Sequence, residues 1–158
     1  MTCVTASVGS VYFVRWQKPE VADMRLIVRE LSVLHTARRR LLTYIAVAPA
    51  TSDPPDTTAR KEMPTLMNEA LEHCEQMYVV MEGSGFKQSL MRSVMAAVFL
   101  AGGQRGRVHV HASVEDVVRV SDCPELASAL RVFAIRGLLS GPPSGRFVAA
   151  QPVHRPIG

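Results

Sequence analysis

Apolar and polar positions change period several times along the chain, and each change predicts an element. Thr2 to Ser7 and Val11 to Gln17 are β-rich runs on either side of a Gly9-Ser10 turn signal, the pattern of a β-hairpin. Pro19 ends the second run because it cannot donate to a strand ladder. From Pro19 or Glu20 to His35 the period becomes helical, with Met24, Ile27, Val28, Leu31 and Leu34 on one face. Leu41 to Val47 is apolar enough to be a central strand. The loop Pro49 to Thr57, with Ser52, Asp53, Pro54, Pro55 and Asp56, then offers a helix start. Thr58 to Gln76 places Met63, Leu66, Met67, Ala70, Leu71 and Cys74 at helical spacing, with Pro64 as a kink or first full turn.

The central stretch is Met77 to Gly103. Met77 to Met81 reads as a buried strand, Glu82-Gly83-Ser84-Gly85 as a tight turn, and Phe86, Leu90, Met91, Val94, Met95, Val98 and Phe99 as the apolar face of a long helix ended by Gly102-Gly103. Val108 to Ala112 alternates as a strand, with His109 and His111 on one face. Ser113 with Asp116 resembles a capping box and starts a helix to about Val120. Asp122 or Cys123 caps a last helix that opens at Pro124, carries Leu126, Leu130, Phe133 and Ala134, and ends near Gly137 to Gly141. The order ββαβαβαβαα implies an α/β fold: a single mixed sheet of about five strands with helices packed on it, parallel in its later part. Residues 1–140 make one domain, and the Pro/Gly-rich stretch 141–158 reads as a flexible tail.

Composition narrows the class. The 158 residues are 47% hydrophobic and 20% charged, as in an ordinary globular protein. No apolar run reaches the roughly 20 residues of a membrane span, and the start lacks the pattern of a signal peptide, so a cytoplasmic location is expected. Three widely spaced cysteines, Cys3, Cys74 and Cys123, suit reduced thiols rather than a disulfide framework or a zinc site, and Cys74 reads as a core residue on a helix. The net charge of +4 raises the question of nucleic acid, but the basic residues are scattered. Their one dense cluster, Arg38-Arg39-Arg40, follows a helix end, where cations complement the carbonyls. Nucleic-acid binding is therefore disfavoured. Glu69, Glu72 and Glu75 form an acidic stripe, read as solvated in preference to a docking surface for a basic partner. His109 and His111 lack a third ligand nearby in sequence, so no metal or cofactor is expected.

The element order and the spacing of the central turn resemble the STAS domain, the fold of bacterial anti-sigma-factor antagonists. The opening VGSVYFVRWQKPEVADMRLIVREL is similar to that family's strand pair and first helix. Glu82-Gly83-Ser84-Gly85-Phe86 stands where the family has an Asp-Ser-Ser-Gly-Leu-like turn, Gly102-Gly103 where it has a glycine stop, and VHVHA leads into SVEDVVRV as its last strand leads into a helix. The resemblance covers about residues 4–121. It implies a regulatory switch component whose partner is a kinase-like or signalling regulator, with a homodimer left open. The family's regulatory phosphoserine falls on Gly83, Glu82 replaces its Asp, and Thr58 to Gln76 looks like an insertion.

Three functions follow for weighing. The first is a non-enzymatic regulatory or scaffolding domain that docks a protein through Glu82, Gly83, Ser84, Gly85, Phe86 and Lys87. Ser84 is either a modifiable residue or part of a helix cap, and the cap reading is favoured. The second is a phosphate or nucleotide module at the same helix N-terminus, with Lys87, Gln88 and Arg92 near, although P-loop spacing is missing. The third is an enzyme of unstated reaction, for which no nucleophile elbow, HExxH or CxxC is present, and nothing in the sequence brings His73, His109 or His111 to Ser84. The methionines of the central segments suit an adaptable core or a binding surface, and core is the preferred reading.

Overall fold

The hairpin forms first in the chain: β1 (Cys3–Val8) pairs antiparallel with β2 (Val11–Trp16). The computed structural model describes residues 2–139 except 102, 104 and 105, and all of their side chains but those of residues 87, 94, 98, 100 and 101. The expected tail and Gly102 lie outside the described residues. After the hairpin come α1 (Val21–Arg38), β3 (Leu42–Ala48), α2 (Thr57–Leu71), β4 (Cys74–Met81), α3 (Phe86–Ala101), β5 (Val108–His111), α4 (Val114–Val120) and α5 (Leu126–Ile135). The strands lie in chain order in one sheet, and β2 through β5 are mutually parallel.

That order decides where the helices go. Right-handed crossovers that always step in one direction deliver their helices to one face of the sheet. Accordingly α1 and α2 cover the face carrying Tyr12, Val14, Tyr44, Ala46 and Met77, and α3 borders the same face through Met91, Met95 and Phe99. After β5 no further strand extends the sheet. The chain folds back, and α4 and α5 cover the opposite face, where Phe13, Ile45, Val47, Tyr78 and Val80 meet Val117, Leu130 and Phe133. The strict alternation of Tyr12 against Phe13 and of Tyr44 against Ile45 is the period-two signature of a sheet buried on both sides.

Three expectations need correction. The second helix ends at Leu71, and residues 74–76, expected to be helical, belong to β4. Leu42 pairs with Cys74 and Thr43 with Gln76, so Glu75 is an inserted bulge residue. The bulge turns Cys74 and Met77 to the same face, and their separation of three mimics helical spacing. It also removes the acidic stripe, since Glu69 is on α2, Glu72 caps it and Glu75 is on a strand. The last helix begins at Leu126, not Pro124, and neither Asp122 nor Cys123 is its N-cap residue. Glu125 takes the N-cap position without capping, because its carboxylate accepts from the Ser10 amide at 2.6 Å and from Arg40 at 2.8 Å.

The same contacts explain the arginine cluster. Arg38 donates to the Gly9 carbonyl and to Ser7 Oγ, and Arg39 adopts a left-handed conformation that closes α1. Arg40 joins Glu125, so two of the three cations tie the hairpin turn to the helix ends. The Ser10 amide and the Arg40 guanidinium hold the Glu125 carboxyl at about 2. Gly9 takes φ +53, and a Cβ there would displace the Glu125 carboxylate from its bonds, since Oε2 lies 2.1 Å from that position.

Candidate functional site

The turn after β4 stands at the carboxyl edge of the parallel strands and is held by backbone contacts on both sides. The Glu82 amide donates to Ala48 O at 2.9 Å, which fixes the turn to the end of β3. Arg92, one turn and a half into α3, reaches back and donates to Met81 O and Gly83 O, both at 3.1 Å. Its guanidinium thereby satisfies carbonyls that the sharp reversal would leave unpaired. The Ser89 amide bonds Gly85 O at 3.1 Å as the helix begins.

Gly83 is required by this geometry. Its φ of +114 is a conformation that side chains resist, and a Cβ would come within 2.9 Å of Ala50 Cβ and 3.0 Å of Gln88 Cγ. A serine at this position would be strained. Ser84 is exposed, and among the described hydrogen bonds none engages its hydroxyl, so the expected capping role is not seen. Glu82 is half-buried, Gly85 and Phe86 are exposed, and the Lys87 side chain lies outside the described residues.

The apolar face expected for α3 divides in two. Met91, Met95 and Phe99 face the sheet side, whereas Phe86 and Leu90 point to solvent, with 84% and 52% of their surface exposed. From Phe86 to Met95 is nine residues, about two and a half turns at 3.6 residues per turn, so the two sets lie on opposite sides of the helix. Val94 and Val98 lie outside the described side chains.

Beneath α3 is a feature the sequence reading missed: a cavity of about 550 Å³. Its floor is the outer half of β3 and β4, including Ala46, Ala48, Val79 and Met81; its walls come from α1, α2 and α3, and its mouth from the Pro49–Pro55 loop, Glu82 and Gln88. Every methionine among the described residues lines it. The signal was present as methionine placement, together with three alanines, Ala46, Ala48 and Ala50, where larger residues would fill the space.

The expected chemistry elsewhere does not converge on the turn. His73 pairs with His35, their Nδ1 atoms 3.2 Å apart, at the start of β4, a strand of 8 residues that at about 3.3 Å per residue is roughly 25 Å long. His109 bonds Gln76 at 2.9 Å and stacks on Tyr78, and His111 meets the same ring at a tilt, on the face opposite the cavity. Burial and the neighbouring His109 push His111 below its ordinary value. Burial raises the Cys74 thiol to about 12 and the Cys3 thiol to about 11. Among the described residues no three His, Cys, Asp or Glu side chains are placed to hold a metal, and no helix is long and apolar enough to cross a membrane.

No protein family, curated protein or solved structure matches this chain.

Proposed function

We propose that this chain is a non-enzymatic regulatory or scaffolding domain, STAS-like in its element order, which docks a protein partner through Glu82, Gly83, Ser84, Gly85, Phe86 and Lys87. The observation that carries the proposal is the exposure of Phe86 at the start of α3, beside a turn fixed by the Glu82 and Arg92 bonds. An aromatic ring kept in water gains a large apolar contact when covered, and aromatic anchors dominate interface energetics. Leu90, one helical turn on, extends the same stripe. Because the turn is already bonded to β3 and α3, little ordering is required on binding.

Ser84 supplies a point of control. A phosphate on its exposed hydroxyl would add negative charge beside Glu82 and at the positive end of α3, altering partner affinity without rebuilding the turn. Phosphate or nucleotide binding at the same helix start gains no comparable support, since Arg92 is committed to Met81 O and Gly83 O and Glu82 adds like charge.

The test is affinity capture with the wild type, Phe86→Ala, Ser84→Asp and the control Ile135→Ala, which removes an equally exposed residue (82%) from α5. A defined protein partner held by the wild type and the control but lost by Phe86→Ala supports the docking site. Equal retention by all four sinks it.

A further inference from the structure

We propose a second binding site, beside the docking turn and sharing only Glu82 with it: the cavity bounded by β3, β4 and the three helices on that face takes a small molecule with a hydrocarbon body and an uncharged, hydrogen-bond-donating head, such as a long-chain alcohol. At about 550 Å³ the space lies within the range of ligand pockets, roughly 300–1,000 Å³. Its interior is built from apolar groups, and the polar atoms near its floor are already used. Tyr12 donates to Glu30, and Ser52 Oγ donates to Trp16 O at 2.8 Å. Away from the mouth the lining is almost wholly apolar, so an ordered buried water would find few of the two to four bonds it needs.

The lining is also of an adaptable kind. Met63, Met67, Met91 and Met95 come from α2 and α3, the two walls flanking the mouth, and unbranched thioether chains reshape around apolar ligands at little cost. Charge at the mouth selects the head group. Asp53 and Glu82 line it, and among the described residues neither carboxylate has a hydrogen-bond or ion-pair partner. The facing cation, Arg60, bonds Asp56 O through Nε. With two carboxylates against one guanidinium the mouth is net negative, and its two unpaired acceptors favour a donor head over a carboxylate.

The experiment is titration of the full chain with N-phenyl-1-naphthylamine, an uncharged fluorophore that brightens in apolar sites, followed by displacement with dodecan-1-ol and with dodecanoate. Saturable binding at micromolar concentration is expected, with dodecan-1-ol displacing the probe at least tenfold more effectively than dodecanoate. Two separately filled variants, Ala46→Leu/Ala48→Leu and Val79→Phe, checked for native circular dichroism and melting, should lose at least tenfold in probe affinity. Phe86→Ala should bind the probe as the wild type does, because Phe86 is not in the lining. Absence of saturable binding, unchanged binding in a folded filled variant, loss of binding in Phe86→Ala, or equal displacement by dodecanoate each overturns the proposal. The docking reading stands or falls separately, on partner capture.

Discussion

The two faces of the sheet are built from the same strands but closed in different ways. On the α4/α5 face, Val11, Phe13, Ile45, Val47, Leu130 and Phe133 are fully buried, and the Phe13 and Phe133 rings stack at 5.0 Å. Among the described residues no methionine belongs to that cluster. The α1/α2 face is equally tight toward the amino ends of its strands, around Leu31, Leu42 and Cys74, but opens into the methionine-lined cavity toward their carboxyl ends. Branched and aromatic side chains have few rotamers and fix one packing, while methionine has many and tolerates several. One face thus holds the fold, and the carboxyl half of the other is left adaptable beside the turn proposed to dock a partner.

The largest effect should come from cutting into the tight face. Phe133→Ala is expected to destabilise by about 3–5 kcal/mol, as buried aromatic truncations do, whereas Met91→Ala at the cavity wall should cost under about 1 kcal/mol. Urea unfolding of the two variants measures the difference, and equal losses would remove the distinction between the faces. Enlargement should have the opposite pattern. Ala129→Leu would overpack α5 and cost about 1–3 kcal/mol, while Ala46→Leu enters open space and should be neutral or stabilising in a thermal melt.

Glu125→Ala probes how the tight face is anchored to the hairpin turn. Its carboxyl titrates at about 2 in the fold, below the ordinary 4.5, so its contacts are complete above about pH 4.5 and are lost as pH falls through about 2. Since the side chain is 37% exposed, solvent screening limits the loss to about 1 kcal/mol at pH 7. The variant should melt lower at pH 7 and show a shallower decline between pH 4.5 and 2, and an unchanged acid limb would remove Glu125 from this role. The smallest effect concerns His111, whose Nε2 is buried with no hydrogen-bond partner. His111→Phe keeps a ring against Tyr78 and removes the orphaned nitrogen, so a gain of up to about 1 kcal/mol is expected by chemical denaturation, while a net loss would mean that the nitrogen is satisfied in solution.

Much of the fold was legible because period-two and period-3.6 patterns are local. Tyr12 to Trp16 and Leu42 to Val47 alternate between two buried faces, and Ser113 accepts from the Asp116 amide at 3.2 Å, as their spacing predicts. What misled was in one case local and in the other long-range. The bulge at Glu75 gave a strand the spacing of a helix, and the commitment of Glu125 to Ser10 and Arg40 arises from residues more than eighty positions apart. The candidate turn was located from its glycines, and Gly83 proves sterically obligatory. The cavity was not foreseen, because empty space belongs to no residue. Nor could the periodicity of α3 reveal that Phe86 and Leu90 turn outward while Met91 and Met95 turn in.

The most direct test of an adaptable, ligand-binding half-face uses methionine ε-methyl groups labelled with carbon-13. All seven methionines among the described residues line the cavity. Titration with dodecan-1-ol should shift the methyl signals of Met24, Met63, Met67, Met77, Met81, Met91 and Met95, while the Ile45 δ-methyl, buried on the opposite face, stays in place. Unmoved methionine signals, or shifts of Ile45 as large as theirs, would contradict the account.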